Sequence, residues 1–88
     1  MYPDLTFANR EATCFVEIQA DKLTDTISAT MELWQGTTKI NEWSDSGTLY
    51  LSMEETATAK RYRTYSLVIN YSINGVSKTP VTISRYYS

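Results

Sequence analysis

Tyr65-Ser66-Leu67-Val68-Ile69-Asn70-Tyr71-Ser72-Ile73-Asn74-Gly75-Val76 is the stretch that decides the fold. Tyr65, Leu67, Ile69, Tyr71 and Ile73 recur at every second residue, the period at which a strand returns to one face, and Ser66, Val68, Asn70 and Ser72 fall on the other. Asn74-Gly75 supplies two adjacent residues that accept a positive φ, as a two-residue type I′ hairpin requires. The stretch therefore predicts a long strand F folding back onto an antiparallel strand G, which runs from Val76 through Val81 and Ile83 toward Tyr86. Pro80 removes one ladder donor from G and so predicts an edge position or a bulge there.

The same alternation continues toward the N-terminus. Leu49, Leu51 and Met53 predict strand E, preceded by a turn at Asp45-Ser46-Gly47 and followed by a loop from Glu54 to Lys60. Ile27, Ala29, Met31 and Leu33 predict strand C, which turns at Gly36-Thr37 into strand C′, Lys39 to Ser44. Ala12, Cys14, Val16, Ile18 and Ala20 form the apolar face of strand B. Strand A is Leu5 to Phe7, with Pro3 suited to an edge. Tyr65, just after the E–F loop and two residues before Leu67, is placed for its hydroxyl to bond back to that loop.

Strand C′ holds one conflict. Pairing across the Gly36-Thr37 turn puts Leu33 opposite Ile40 in the core and Trp34 outside, opposite Lys39. Ile40 and Trp43 are three apart, so a regular strand cannot turn both inward; a bulge or crossover that buries Trp43 is expected.

With 88 residues, 42% of them hydrophobic, the chain makes one domain, residues 1–88, with a single core. About seven strands with turn signals between them predict an all-β fold, an antiparallel two-sheet immunoglobulin-like (fibronectin type III-like) sandwich. Strands A, B and E form one sheet and C′, C, F and G the other, with Leu33, Leu51, Leu67 and Ile69 at the centre.

The composition narrows function as well. There is no His, which removes the commonest general base, the Ser–His and Cys–His pairs and the commonest zinc ligand; no enzyme activity is expected. Glu54-Glu55 and the pair Asp21 and Asp25 are the remaining acid–base candidates, and a sandwich this small offers them no cleft. Asp21 and Asp25 lack the spacing of an EF-hand loop and read as solvated loop charges, so neither metal nor cofactor is expected. Cys14 is the only cysteine and, on the apolar face of strand B, reads as a buried thiol acting as a small hydrophobe. Net charge is −2, and the eight Lys and Arg are spread along the chain, so nucleic acid is not expected as a partner. No apolar run is long enough for a transmembrane segment, and no charged start precedes an apolar signal-type region.

The aromatic residues carry what functional signal there is. Trp34 faces outward with Lys39 within cation–π reach, and Val68, Tyr62 and Tyr50 extend this into a surface patch of the kind that meets protein partners. Trp34, Tyr50, Tyr62 and Tyr86 are also suited to stack on sugar rings, the basis of an alternative carbohydrate-binding reading. A weak homodimer through the edge of strand G is a further expectation.

Particular words in the chain extend these readings. Ala12-Thr13-Cys14, Thr26-Ile27-Ser28-Ala29-Thr30-Met31, Leu33-Trp34-Gln35-Gly36 and Lys39-Ile40-Asn41-Glu42-Trp43-Ser44 are followed by Ser46-Gly47, Tyr65-Ser66-Leu67-Val68-Ile69 and Ile73-Asn74-Gly75-Val76. Together they cover most of the chain and resemble small uncharacterised secreted immunoglobulin-like domains of Gram-positive, Clostridia-type gut bacteria. The resemblance implies a secreted or cell-surface location, with the signal peptide removed, and a non-enzymatic binding or structural role. It brings no activity with it. Members of that group often carry a second cysteine near the end of strand G, where this chain has Tyr86-Tyr87, so the resemblance implies that Cys14 has lost a disulfide partner.

Overall fold

The computed structural model describes residues Met1–Ser88. It is all-β, with eight strands: β1 (Tyr2–Ala8), β2 (Glu11–Gln19), β3 (Thr26–Gln35), β4 (Thr38–Thr48), β5 (Tyr50–Thr58), β6 (Arg63–Ile73), β7 (Val76–Ser77) and β8 (Val81–Tyr87). One antiparallel sheet has the order β1-β2-β5; the other has the order β4-β3-β6, with both β7 and β8 paired to the far side of β6. These are the two predicted sheets. The eighth strand arises because G is broken at Lys78–Pro80, where Ser72 pairs with Ser77 but Ile69 pairs with Val81. That leaves one residue more on the G side than on β6, the bulge expected of Pro80.

The core is built from the inward residues of both sheets. Ala12, Cys14, Val16 and Ile18 of β2 and Ile27, Met31 and Leu33 of β3 are at most 1% exposed, as are Leu67 and Ile69 of β6; Leu51 and Met53 of β5 are also buried. Alternation along each strand is why: each contributes one apolar face, and two such faces satisfy each other. Truncating Leu33 or Ile69 to Ala would cost about 2–5 kcal/mol, the usual range for fully buried aliphatics. Two hairpins close as the sequence requires. Gly36 has φ +59 at the first position of the β3–β4 turn, and Asn74 and Gly75 have φ +53 and +79 between β6 and β7, the latter the type I′ pattern.

Four expectations need correction. Asp45-Ser46-Gly47 is not a turn; β4 continues through it, pairing with Ala29, Ser28 and Ile27 of β3. The chain changes sheets at Leu49 instead, which takes φ +65. Two backbone bonds hold this corner: Leu49 N–H donates to Asp25 C=O at 2.9 Å, and Ala20 N–H donates to Leu49 C=O at 2.7 Å. Gly47 serves the corner through its missing side chain, since a Cβ there would lie 3.0 Å from the Tyr50 carbonyl oxygen.

Glu54 to Lys60 is not a loop throughout. β5 extends to Thr58, pairing Glu54 with Phe15 and Thr58 with Glu11, and its inward alternation continues through half-buried Ala57 to buried Ala59. Strand A, expected at Leu5 to Phe7, runs instead from Tyr2 to Ala8, with Pro3 paired to Val16 at the sheet edge. The fourth correction settles the conflict in C′. Leu33 pairs with Asn41 and Trp34 with Lys39, so the register shifts and Ile40 is the extra residue. Ile40 is 38% exposed rather than buried opposite Leu33, and Trp43, opposite Met31, turns inward and packs half-buried against the core.

Candidate binding surfaces

At the β3–β4 margin the bulge at Ile40 brings Lys39 beside Trp34, with its Nζ 5.9 Å from the ring centroid. The same ammonium donates to Glu42 Oε1 at 2.8 Å and lies 3.9 Å from Glu32 Oε2. Trp34 Nε1–H donates to Glu32 Oε1 at 3.2 Å. The hydrogen bond from Lys39 holds the Glu42 carboxyl below its ordinary range, and the Glu42 carboxylate correspondingly raises Lys39. Lys39 and Glu42 are exposed while Glu32 and Trp34 are half-buried, so solvent screening makes the network a device that orients the indole more than one that stabilises the fold. Val68, half-buried on β6, pairs with Glu32 and completes the margin.

The other two residues expected in the patch lie elsewhere. Tyr50 is on β5, in the other sheet, and its hydroxyl donates to Glu17 Oε2 at 2.6 Å, a carboxylate bond that pushes the phenol up. Tyr62 sits in the β5–β6 loop at φ +65, is 61% exposed and carries Arg61 over its ring at 5.0 Å. The predicted strand order already assigns Tyr50, on strand E, to the other sheet, whereas alternation could not foresee the position of Tyr62, which depends on where the loop falls.

Next to the margin the outer face of the larger sheet forms a shallow, open depression of about 830 Å³. Its lining includes Ser28, Thr30, Ser44, Ser46, Asn70 and Ser72, all outward residues of three adjacent strands. Thr30 Oγ1 and Ser44 Oγ are 3.1 Å apart; the surface offers hydroxyl donors and acceptors at the spacing of the strands.

The end of the molecule that carries the β1–β2 turn and the β5–β6 loop was invisible in the sequence. Glu11 pairs with Thr58, Arg63 with Tyr87 and Tyr65 with Arg85, so Arg10, Lys60, Arg61, Arg63 and Arg85 share one end, every one of them exposed. Five of the eight cationic side chains, scattered in sequence, are thus gathered by the fold. The only ion pairs in the molecule belong to Lys39, which leaves these five without a carboxylate partner.

Buried tyrosines brace this end. Tyr65, 1% exposed, accepts the Lys60 N–H at 2.7 Å, the expected bond to the loop before its strand. Tyr87, 9% exposed, accepts the Arg10 N–H at 3.0 Å and stacks on Phe7 at 4.7 Å between centroids.

At the opposite end Asp25 and Asn74 lock the β2–β3 loop to the β6–β7 turn. Asn74 Nδ2 donates to Asp25 Oδ1 at 2.8 Å, and its Oδ1 accepts from Thr26 N–H at 2.9 Å. The Asn74 bond is the main reason the Asp25 carboxyl is lowered. Asp25 Oδ2 accepts the Lys22 N–H at 3.1 Å, so both its oxygens serve the loop, and no three His, Cys, Asp or Glu side chains converge on a cation position. Cys14 is fully buried, and desolvation, with a smaller contribution from the Glu55 charge, pushes its thiol up to about 12; it is a packing residue that stays protonated.

Compared with known protein families, curated proteins and solved structures, the chain matches none.

Proposed function

We propose that this chain is an immunoglobulin-like, fibronectin type III-like module, a non-enzymatic binding or structural part of a secreted or cell-surface bacterial protein that meets a protein partner at its β3–β4 margin. The strand order β1-β2-β5 against β4-β3-β6-β7/β8 supports the fold assignment. Location outside the cytoplasm rests on the likeness of the strand words to exported domains, and fractionation of the producing cells tests it.

The observation that carries the functional reading is continuity. β4 is an eleven-residue edge strand, paired on one side only and exposed along most of its length. Lys39 lies on this strand and Trp34 opposite it on β3, so a strand added to β4 would run two strand spacings, about 10 Å, from the indole, within reach of a long side chain. Edge pairing supplies main-chain hydrogen bonds, and an aromatic beside them supplies selectivity. Two of the other edges are less open to this, since β1 carries Pro3 and the β7–β8 edge is interrupted before Pro80; β5, the outer strand of the smaller sheet, is shorter at nine residues and has no indole beside it.

In the producing cells, Trp34→Ala combined with Ser44→Lys is expected to abolish partner association, while Glu54→Lys on β5 leaves it intact. Margin variants that associate like the parent protein would reject the reading.

A carbohydrate-binding role is the second reading, favoured by the hydroxyl-lined depression of about 830 Å³ on the outer face of β4, β3 and β6. A glycan array with the parent protein and Asn70→Ala tests it; an array without signal rejects it.

A further inference from the structure

We propose that the cationic end of the molecule is a docking surface for an anionic lipid bilayer, with one headgroup phosphate seated among Arg10, Lys60 and Arg61. The inference rests on the charge distribution and is independent of the β3–β4 margin.

Arg10, Lys60 and Arg61, with Thr58 and Ala59, enclose a recess of about 390 Å³. Arg10 occupies the second position of a tight turn at φ +64, a conformation more natural to Gly, and Tyr62 is held at φ +65 in the facing loop. The backbone that presents them is fixed. Arg10 N–H and Lys60 N–H are bound by the Tyr87 and Tyr65 hydroxyls, and Tyr62 N–H donates to the Tyr87 carbonyl. Arg63 and Arg85 widen the positive field, and Glu11 is the one carboxylate on the strand ends around them. A protein of net charge −2 therefore has a strongly positive pole with its ammonium and guanidinium groups open to an external anion.

The shape favours a surface over a strand of polymer. The cations occupy turns and strand ends at the end of a body measuring 43 × 23 × 16 Å, whereas the concave face of the larger sheet carries hydroxyls and no row of cations. A linear polyanion follows a charged groove; a bilayer meets a protruding tip. Tyr62 and Tyr86 stand exposed at the same end, at 61% and 58%, and amphipathic rings beside cations suit the headgroup layer. The two most exposed aliphatics, Leu23 at 80% and Val76 at 60%, lie at the other end, and Ile40 near the β3–β4 turn is only 38% exposed, so attachment is electrostatic, shallow and reversible rather than inserted. Each cation near an anionic leaflet raises partition by about fivefold.

Co-sedimentation with vesicles tests the proposal on the whole chain. The parent protein is expected to pellet with phosphatidylglycerol mixed into phosphatidylcholine, to ignore phosphatidylcholine alone, and to be released at about 0.5 M salt, where screening is strong. Lys60→Glu with Arg61→Glu lowers the partition by more than about 25-fold. Lys22→Glu with Lys78→Glu, the same charge change away from the pole, shifts it by less than about threefold, since only long-range field is lost. Circular dichroism of both double variants confirms that they are folded. Equal binding to both vesicle types, no binding to either, or equal losses in the two double variants would overturn the proposal. So would tighter binding to heparin or a single-stranded oligonucleotide than to the vesicles at the same salt, which would assign the pole to a linear polyanion.

Discussion

The Tyr65 hydroxyl accepts the Lys60 N–H at 2.7 Å from a ring only 1% exposed, so the core reaches out and fixes the loop that carries Lys60 and Arg61. Tyr87 does the same for Arg10 at 3.0 Å. Replacing either by Phe keeps the ring packed and removes one bond, so Tyr65→Phe and Tyr87→Phe should each lose about 1 kcal/mol in urea unfolding. A loss above about 3 kcal/mol would mean that the hydroxyls do more than hold the two turns.

The bulge at Ile40 makes a register prediction. Because Leu33 pairs with Asn41 and Trp34 with Lys39, deleting Ile40 leaves every cross-strand pair in place and merely regularises the ladder. The deletion should be tolerated, with less than about 1.5 kcal/mol lost, since only a half-exposed side chain goes. Deleting Ser44 has no bulge to absorb it and reverses the faces of the residues beyond, so that chain should not fold cooperatively. Thermal melts of the two deletions decide; equal behaviour would contradict the register.

Asp25 gives the fold an acid dependence. Its folded carboxyl lies below the ordinary 3.8, mainly through the Asn74 amide, so its contribution to stability is complete above 3.8 and is lost as pH falls through the lowered folded value. The stability difference between the parent protein and Asp25→Asn should be constant from neutral pH down to about pH 5 and then shrink, as chemical unfolding at stepped pH will read. A difference that does not change on acidification would contradict the Asp25–Asn74 link between the β2–β3 loop and the β6–β7 turn.

Cys14 gives the opposite dependence at high pH. Burial raises its thiol from 9.0 to about 12, so the unfolded chain loses its proton first and stability falls as pH rises from 9.0 toward 12. Cys14→Ala should remove that slope. In the parent protein a thiol reagent at pH 8 should label Cys14 only at the rate of opening, and labelling as fast as in urea would mean the thiol is not buried.

Much of the fold was legible because a strand's two-residue period exposes its inward face to reading. Cys14, Met31, Leu33 and Ile69 were placed inside by spacing alone, and Asn74-Gly75 fixed a turn through its tolerance of positive φ. The sheet change was not legible, because Leu49 takes φ +65 without Gly, Asn or Pro to announce it, while Gly47 imitates a turn residue although its role is to leave room for the Tyr50 carbonyl. The end of β5 was missed because Glu55 interrupts the apolar face and the continuation rests on two alanines. Of the candidate surface, Trp34, Lys39 and Val68 were readable as neighbours on paired strands. The cationic pole was not, since residues 10, 60, 61, 63 and 85 meet only after two sheets have formed.

Site-specific photo-cross-linking in the producing cells tests the proposed role most directly. A benzophenone side chain placed in turn at Ser44 on the β4 edge, at Trp34 on the adjoining face and at Glu54 on β5 should give one common protein adduct from the first two positions and none from the third. Adducts of equal yield from all three, or from Glu54 alone, would contradict a binding surface at the β3–β4 margin.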